Sequence, residues 1–328
     1  MLISGQNIEV TFRVGSMLRP RSLLAVAGVS FDIAEKETFA LVGESGSGKT
    51  TLARAINGLQ TVSHGQINYD GQRIDHLSAK EMKPYRQQMA MIFQDPVGSL
   101  SPRMTVGDLI IEPFRVHGIS TDYDKEVRRL LSLVGLPSDF AQRYPHQLSG
   151  GQARRVGVAR AIALNPRLII ADEPTAGLDV SVQGEVLNLL NDLKGELGLS
   201  MLIITHNLHV VRRVADRMAV MYLGRFVEVN DTAEIFRAPA HPYTAALLSA
   251  NPEPDPDTKH NRIALPADVP SLMERPGGCE FHTRCPWVQD RCSTEVPPVT
   301  TTQNNVSCHM PLAAGARPPE GKDHKGKG

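Results

Sequence analysis

The sequence predicts an α/β protein built on a mainly parallel sheet with helices on both faces. Apolar runs of strand length recur at 168–171, 201–205 and 218–222, and helical patterns separate them. Strands that alternate with helices favour parallel pairing, because each crossover helix returns the chain to the same end of the sheet. An earlier apolar run at 39–42 breaks into a glycine-rich turn, as in α/β proteins that bind phosphate.

The composition is that of a globular chain without excess charge. The 35 Lys and Arg residues balance the 35 Asp and Glu residues. Nucleic-acid binders usually carry a basic excess, so we expect no nucleic-acid partner. No apolar run approaches the ~20 residues of a bilayer helix, and the N-terminus lacks the pattern of a signal peptide. We therefore expect a soluble, cytosolic chain that acts at a membrane only through partners.

The character of the sequence changes along the chain. Strand-like segments fill the first part, helical patterns dominate the middle, and prolines and all four cysteines cluster towards the end. The last residues are mainly Gly, Pro and Lys, with little to bury. The predicted divisions are a main domain over 1–238 with a helical subdomain at about 96–160, a small lobe over 239–312 and a disordered tail over 313–328.

The clearest motif is the glycine-rich loop at 43–51, which fits the pattern G-x-x-x-x-G-K-[ST]. An ordinary Gly/Ser turn has the same composition, but a strand before the loop and a helix that begins at Lys49, with its helical pattern over 52–59, favour a phosphate site. Lys49 would reach the β and γ oxygens, and the Thr50 hydroxyl would bind Mg²⁺. The expected nucleotide contacts are Gly43, Glu44, Ser45, Gly46, Ser47, Gly48, Lys49, Thr50 and Thr51.

Two carboxylates follow the apolar run at 168–171. Asp172 could hold Mg²⁺ through water, and Glu173 could polarise a water in line with the γ-phosphate. An acidic pair after a strand is often only a solvated helix start. Beside the glycine loop, we interpret the pair as part of a phosphate-cleaving site.

The string Leu148-Ser149-Gly150-Gly151-Gln152 lies about twenty residues before this pair. With it, the chain resembles the nucleotide-binding subunits of ATP-binding cassette (ABC) transporters over roughly residues 7–310. Gln94 matches the family's Q-loop, Asp179 its D-loop and His206 its switch histidine. The resemblance implies a P-loop NTPase (RecA-like) fold: a mainly parallel sheet core with an antiparallel β subdomain, an inserted helical subdomain and, here, a small C-terminal cysteine-containing lobe.

The resemblance also implies an ATPase that uses Mg²⁺. Glu173 would be the general base, His206 would contact the γ-phosphate, and Gln94 would sense Mg²⁺ and the attacking water. The expected Mg²⁺ ligands are Thr50, Gln94 and Asp172.

The same family pairs two subunits head-to-tail, so that each signature motif covers the ATP held by the partner's loop. A helix that opens at Ser149, Gly150 and Gly151 offers a second anion site, too far from Lys49 to serve the same phosphates. The residues expected to contact nucleotide in this way are Ser149, Gly150, Gly151, Gln152 and Asp179.

The contact to adenine has two interpretations. The family stacks adenine on an aromatic side chain upstream of the loop, and Phe12 is the best-placed candidate. Phe12 equally fits a strand residue packed into the core.

Local strings at 91–96, 99–105 and 241–244 narrow the resemblance to the ATPase subunits of oligopeptide and dipeptide importers. Ser101 replaces the asparagine common in that branch. The branch implies a position at the cytoplasmic face of the inner (cell) membrane, two permease subunits, a solute-binding protein and a second ATPase subunit, which we expect to be a different chain. Nickel, glutathione and opine-like solutes remain alternatives, because the ATPase does not touch the solute.

Two other functions are disfavoured. A soluble cassette ATPase acting on nucleic acid or ribosomes usually has two fused cassettes or a coiled-coil insert, whereas this chain has one glycine loop and no heptad run. An export ATPase would lack the peptide-branch strings and the cysteine lobe.

The four cysteines are Cys279, Cys285, Cys292 and Cys308. In several members of the branch, cysteines at this spacing hold a [4Fe–4S] cluster. Four thiolates also suit a closed Zn²⁺ site, with His282 and His309 as spare ligands. The absence of a C-x2-C knuckle favours the cluster, and four reduced, buried thiols are the third interpretation.

Overall fold

Two sheets form the frame of the protein in the computed structural model, which describes residues 1–16, 19–95, 97–251, 262–265, 268–300 and 305–316. The strands are β1 (Ile3–Ser16), β2 (Arg19–Ile33), β3 (Thr38–Val42), β4 (His64–Tyr69), β5 (Gln72–Arg73), β6 (Met89–Ile92), β7 (Leu168–Asp172), β8 (Ser200–Thr205), β9 (Arg217–Tyr222), β10 (Arg225–Asp231), β11 (Val299–Thr300) and β12 (Asn305–Ser307). The helices are α1 (Lys49–Ile56), α2 (Lys83–Gln88), α3 (Val106–His117), α4 (Tyr123–Leu133), α5 (Gly150–Ile162), α6 (Val180–Leu197), α7 (Leu208–Val214), α8 (Thr232–Arg237) and α9 (Pro242–Ser249). Short 3-10 helices cover Ser138–Gln142, Pro145–Gln147 and Asp290–Ser293.

The larger sheet has the strand order β11-β12-β10-β9-β3-β8-β7-β6. The strands from β9 to β6 run parallel, and the other three pair antiparallel. Alternate residues of β7 enter different cores: Leu168 and Ile170 join one apolar cluster, and Ile169 and Ala171 join another. Because successive side chains point to opposite faces, both faces are covered, and the predicted parallel sheet is confirmed.

The register of three parallel strands brings their carboxyl ends together. Val42 of β3 lies opposite Thr205 of β8, and Asp172 of β7 lies opposite Ile204. The segments that follow these three strands therefore lie close together at one edge of the sheet. The glycine loop follows β3, Glu173 follows β7, and His206 follows β8.

The smaller sheet, with order β2-β1-β4-β5, is antiparallel and forms the predicted β subdomain. Its inward residues Ile8, Val10 and Val26 are buried with residues of β3 and α1 in one core. This packing holds the middle of β2 against the glycine loop.

The inserted helices α3, α4 and α5 lie between β6 and β7, as predicted. Their apolar faces pack against Ile169 and Ala171 on one side of the large sheet. No helix in the described ranges has both the length and the apolarity needed to cross a bilayer.

The helix predicted to begin at Lys49, with its helical pattern over 52–59, has the predicted start but ends before Leu59. α1 begins at Lys49, because the chain passes directly from Gly48, at φ 102°, into helical geometry. It ends at Ile56 because Gly58 takes a φ of +64°, a left-handed conformation that closes the helix.

The C-terminal residues extend the large sheet. β12 pairs with β10, where Asn305 lies opposite Val229. Phe281 of the cysteine-containing segment is buried with Val42, Val220 and Tyr243 in a third apolar cluster. The predicted lobe and the main domain thus share a sheet and a core. Of the predicted disordered tail, 317–328 lies outside the described residues, and 313–316 form a turn.

Glu228 is a buried anchor between β10 and the start of α9. Its side chain is inaccessible to solvent and accepts hydrogen bonds from the backbone N–H groups of Ala240 (2.8 Å) and His241 (2.9 Å). Burial raises the pKa of Glu228, and these two N–H groups oppose the rise. Burial also lowers the pKa of His241 to about 3, so its neutral Nδ1 accepts from the N–H of Tyr243 and caps α9.

We expect Glu228→Ala to lower the free energy of unfolding by about 2–5 kcal/mol, because two buried N–H groups lose their acceptor. Glu234→Ala, at a half-exposed position of α8 where the carboxylate pairs with Arg237, is the control and should change it by no more than about 0.5 kcal/mol. Urea unfolding of both variants checks the difference. Equal losses would show that Glu228 does not anchor this segment.

Candidate functional site

A cavity of about 570 Å³ lies where β3, β7 and β8 end. Its volume is typical of ligand sites. Of the predicted residues it brings together Phe12, Gln94, Glu173, His206 and the loop at 45–51. It also contains three residues that the sequence did not single out, which are Leu23, Ala25 and Leu272.

The glycine loop requires its glycines for steric reasons. A Cβ on Gly48 would lie 2.4 Å from the Ala25 carbonyl oxygen, and one on Gly43 would lie 2.2 Å from that of Met221. Lys49 is buried, and its Nζ donates to the carbonyls of Gly43 and Glu44, both at 2.8 Å. Burial lowers the pKa of Lys49, although the nearby carboxylates oppose this.

Thr50 and Asp172 place two oxygen ligands side by side. The Thr50 hydroxyl donates to Asp172 Oδ1 at 3.2 Å, and Asp172 is almost fully buried. Burial raises the pKa of Asp172, and the Thr50 hydrogen bond opposes the rise. A hydroxyl next to a carboxylate is a donor set that suits Mg²⁺. Thr50 and the exposed Gln94 line the same cavity, whereas the buried Asp172 does not line it.

Glu173 has a strained backbone. Its φ is 49°, a left-handed value that a residue other than glycine adopts at a cost of about 1–3 kcal/mol. Two hydrogen bonds hold it there: its N–H donates to the Ile204 carbonyl (2.8 Å), and its carbonyl accepts from Arg154 (3.0 Å). In this conformation Glu173 lines the cavity.

His206 contacts the carboxylate of Glu173. Its Nδ1 lies 2.8 Å from Glu173 Oε1, while most of the ring is exposed to solvent. Thr205 donates to the other oxygen, Oε2, at 3.4 Å. The predicted base and the predicted phosphate contact are therefore hydrogen-bonded to each other at the cavity.

Arg154 is a structural residue of the site that sequence reasoning missed. It is almost fully buried on α5 and donates to the carbonyls of Glu173 and Ala176, each at 3.0 Å. The adjacent Arg155 pairs instead with the exposed Glu185. Nothing local in an Arg-Arg pair distinguishes the two, so only the tertiary structure identifies Arg154.

The signature motif lines a second, separate cleft of about 350 Å³, together with Asp179. Ser149 Oγ accepts from the N–H of Gln152 (3.3 Å), and Gln152 Oε1 accepts from the N–H of Ser149 (2.9 Å), so the two residues form a capping box at the start of α5. Within one chain, the structure does not bring Ser149, Gly150, Gly151, Gln152 or Asp179 into the cavity of Lys49.

The apolar end of the 570 Å³ cavity is lined by residues that lie far apart in the sequence. Phe12 is half-buried, lines the cavity and also packs against the core, so both interpretations of this residue describe its position. Leu272 comes from the C-terminal region. Nearby, Arg275 donates to the Leu24 carbonyl at 2.6 Å and holds this segment against β2.

Glu44 does not line the cavity, unlike the loop residues that follow it. Its carboxylate pairs with Arg284, and its N–H donates to the Tyr243 hydroxyl at 3.0 Å. Neither contact has a local signal in the sequence, because the partners lie far along the chain.

The four cysteines line one small cavity with His241, His282 and His309. All four are unpaired and half-buried, and burial raises the pKa of Cys285 to about 12 and that of Cys308 to about 11. His282 Nδ1 and His309 Nε2 are hydrogen-bonded to backbone carbonyls. Among the residues that the structure describes, no group of three or more His, Cys, Asp or Glu side chains is arranged to hold a metal ion.

Two family descriptions match the chain. Residues 26–176 match the family "ABC transporter", and residues 227–292 match "Oligopeptide/dipeptide transporter, C-terminal region". The oligopeptide transport ATP-binding protein OppF of Haemophilus influenzae is 42% identical over 320 residues, which cover 94% of this chain and 96% of that protein. A candidate peptide import ATP-binding protein of Brucella ovis is 49% identical over 281 residues, which cover 85% of this chain and 89% of that protein.

Solved structures of ATP-binding cassettes have the same fold. A dimeric cassette in a post-hydrolysis state, bound to ADP and phosphate, aligns with a TM-score of 0.64 at 28% identity, covering 70% of this chain and 98% of that one. CbiO1 of Clostridium perfringens, part of a transporter complex, aligns with a TM-score of 0.62 at 28% identity, covering 72% and 90%.

We expect Leu272→Ala to raise the Kd for ATP about threefold to tenfold and Phe12→Ala about tenfold or more, because an apolar wall or a stacking ring is lost. Val269→Ala, an exposed position before Leu272, is the control. Fluorescent-nucleotide titration measures the Kd, and competition with inorganic tripolyphosphate isolates the base. If the Kd for tripolyphosphate rose by the same factor as the Kd for ATP, neither side chain would contact the adenine base.

Proposed function

The chain belongs to the ABC transporter family, in its oligopeptide/dipeptide branch, and we propose that it powers the uptake of oligopeptides or dipeptides through partner membrane subunits. It is an ATPase, as the family and its solved cassettes indicate. The observation that carries the peptide assignment is the match over 227–292, because this region lies beyond the nucleotide motifs.

The proposed mechanism assigns one task to each group in the cavity. The backbone of the loop and Lys49 bind the phosphates. Thr50, Asp172 and Gln94 would hold Mg²⁺, which neutralises charge on the phosphates when bound. Glu173 accepts a proton from the water that attacks the γ-phosphorus, and the bond to the ADP oxygen breaks. The contact between Glu173 and His206 orients the carboxylate until the γ-phosphate gives His206 a second partner.

We infer a head-to-tail dimer from the separation of the two anion sites. The cleft of Ser149 and Asp179 lies outside the cavity of Lys49, so a second subunit is needed to bring a signature motif to each nucleotide. The second subunit would be a different ATPase chain. The assembly would lie at the cytoplasmic face of the cell membrane, with two permease subunits and a solute-binding protein, as the peptide import names of the relatives suggest.

We further propose that Cys279, Cys285, Cys292 and Cys308 hold a [4Fe–4S] cluster. Four thiols around one cavity are the right donor set. His282 and His309 each use one ring nitrogen in a hydrogen bond to a backbone carbonyl, which leaves the other nitrogen able to bind zinc, so a zinc site stays the alternative. The group would act as a structural staple, because the lobe contains little apolar sequence.

We expect Glu173→Gln to retain ATP binding but to lower hydrolysis about hundredfold or more, because the proton acceptor is lost. In the assembled transporter, uptake of labelled dipeptides and oligopeptides should stop. Glu196→Gln, at an exposed position of α6, is the control and should leave both unchanged. Substantial remaining hydrolysis would exclude Glu173 as the base. Uptake of another solute that peptides do not inhibit would overturn the peptide assignment.

We expect the chain purified without oxygen to contain about four irons and four acid-labile sulfides, as one four-iron cluster requires. Cys285→Ser should lose both together with the visible absorption, because one of four ligands is missing. All four cysteines of the chain are proposed ligands, so no cysteine can serve as a control. Ser293→Ala, which changes a neighbouring residue of similar size, takes that place. One zinc per chain without sulfide would replace the cluster with a zinc site, and neither metal would leave four plain thiols.

A further inference from the structure

The C-terminal lobe contacts the phosphate-binding loop through one buried ion pair. Arg284 donates from Nη1 to Glu44 Oε2 at 2.8 Å and from Nη2 to Glu44 Oε1 at 3.1 Å. The Arg284 side chain is 7% exposed and that of Glu44 is 29% exposed. Two parallel charge-assisted hydrogen bonds between planar groups fix orientation as well as distance. The pair therefore defines where the Glu44 side chain lies relative to the lobe.

The backbone of Glu44 links this contact to Lys49. Its carbonyl accepts from Lys49 Nζ at 2.8 Å and from the N–H of Ser47 at 3.2 Å. Its N–H donates to the hydroxyl of Tyr243 at 3.0 Å. One loop residue is thus held by Arg284 and Tyr243 from the C-terminal side, and it in turn holds the phosphate-binding lysine.

The backbone of Arg284 is held in place by buried residues of the lobe. The N–H of Arg284 donates to the Phe281 carbonyl at 3.0 Å, and Phe281 is buried. The Phe281 ring packs against Tyr222 and Tyr243, with ring centroids 5.3 and 5.4 Å apart. The next residue, Cys285, lines the cysteine cavity. A single turn therefore carries a cysteine of the lobe and the arginine that reaches the loop.

Electrostatics give this pair a role beyond stability. The loop pattern G-x-x-x-x-G-K leaves the Glu44 position free, so phosphate binding itself does not require a carboxylate there. An unpaired carboxylate in a loop that binds phosphates would repel them, most strongly where water is excluded. Arg284 removes that repulsion by neutralising Glu44. A pair on the open surface would have little effect, but this one is largely shielded from water.

We propose that Arg284 is a positioning residue that acts through Glu44 to set the affinity of the phosphate-binding loop for nucleotide. ATP binding then depends on a correctly folded C-terminal lobe, although Arg284 is not among the residues that line the cavity. The proposal rests on the nucleotide site of the proposed ATPase and is independent of which solute is carried.

The test is a double-mutant cycle on the full-length chain. Arg284→Gln should raise the Kd for a fluorescent ATP analogue about tenfold or more, since a carboxylate that is largely shielded from water loses its partner. The KM for ATP should rise in parallel, while kcat at saturating ATP stays within about twofold, because uniform binding is lost and the reacting groups are unchanged. In a Glu44→Gln background, Arg284→Gln should change the Kd by less than about twofold, because its target is already neutral.

Arg291→Gln is the matched control. Arg291 lies in the same lobe, donates to the His309 carbonyl and has no contact with the loop. It should leave the Kd within about twofold of wild type, since surface substitutions away from a site have small effects. Arg284→Lys keeps the positive charge but loses the two parallel hydrogen bonds of the guanidinium group, and it should raise the Kd about threefold. This variant carries the test if Arg284→Gln does not fold.

Three results would overturn the proposal. One is an unchanged Kd in Arg284→Lys and Arg284→Gln. Another is an equal rise of the Kd with and without the Glu44 carboxylate, which would mean that Arg284 acts through the stability of the lobe. The third is an equal rise in Arg291→Gln. A wild-type chain that binds no nucleotide would instead refute the site itself.

Discussion

The parallel register of β3, β8 and β7 is the constraint on which the rest of the site depends. It sets Val42 opposite Thr205 and Asp172 opposite Ile204, so three strands end at one edge. Groups that are far apart in the sequence then meet without long loops. The same register explains how Glu173 keeps a left-handed backbone: its N–H finds the Ile204 carbonyl of the neighbouring strand, and Arg154 takes its carbonyl. Strain stored at a site persists where its surroundings determine it in this way.

The C-terminal residues are walls of the nucleotide cavity as well as an extension of the sheet. β12 pairs with β10, and Leu272 lines the same cavity as Lys49. The edge of a sheet is a common place for added structure, because unpaired N–H and C=O groups there accept a further strand. Here the added strand brings along a segment that touches both ends of the site. The C-terminal lobe and the main domain therefore share one sheet and one cavity, and no boundary in the structure separates them.

The parts of the fold that the sequence could predict are those encoded by the spacing of neighbouring residues. The strands at 168–171 and 201–205 are continuous apolar runs, and the structure confirms both strands. The glycine loop is a fixed pattern, and it lies between β3 and α1 as the pattern predicts. The end of α1 was misplaced because Gly58, and not the last apolar residue of the pattern, closes the helix. Arg154 and Leu272 escaped prediction because burial of an arginine or of one leucine against a distant cavity leaves no trace in neighbouring residues. The roles of Glu173 and His206 stay predictions, although the two side chains do meet.

The pairing of Glu44 with Arg284 joins positions separated by 240 residues. At synthesis rates of about 5–20 residues per second, the later residue is added about 10–50 s after the earlier one. During that interval the phosphate-binding loop exists with an unpartnered carboxylate and without its final wall. A nascent chain that is released early would carry the whole glycine motif and still lack a finished binding site. The contact therefore requires synthesis at least as far as Arg284, and only a chain of that length can assemble the loop in its final form.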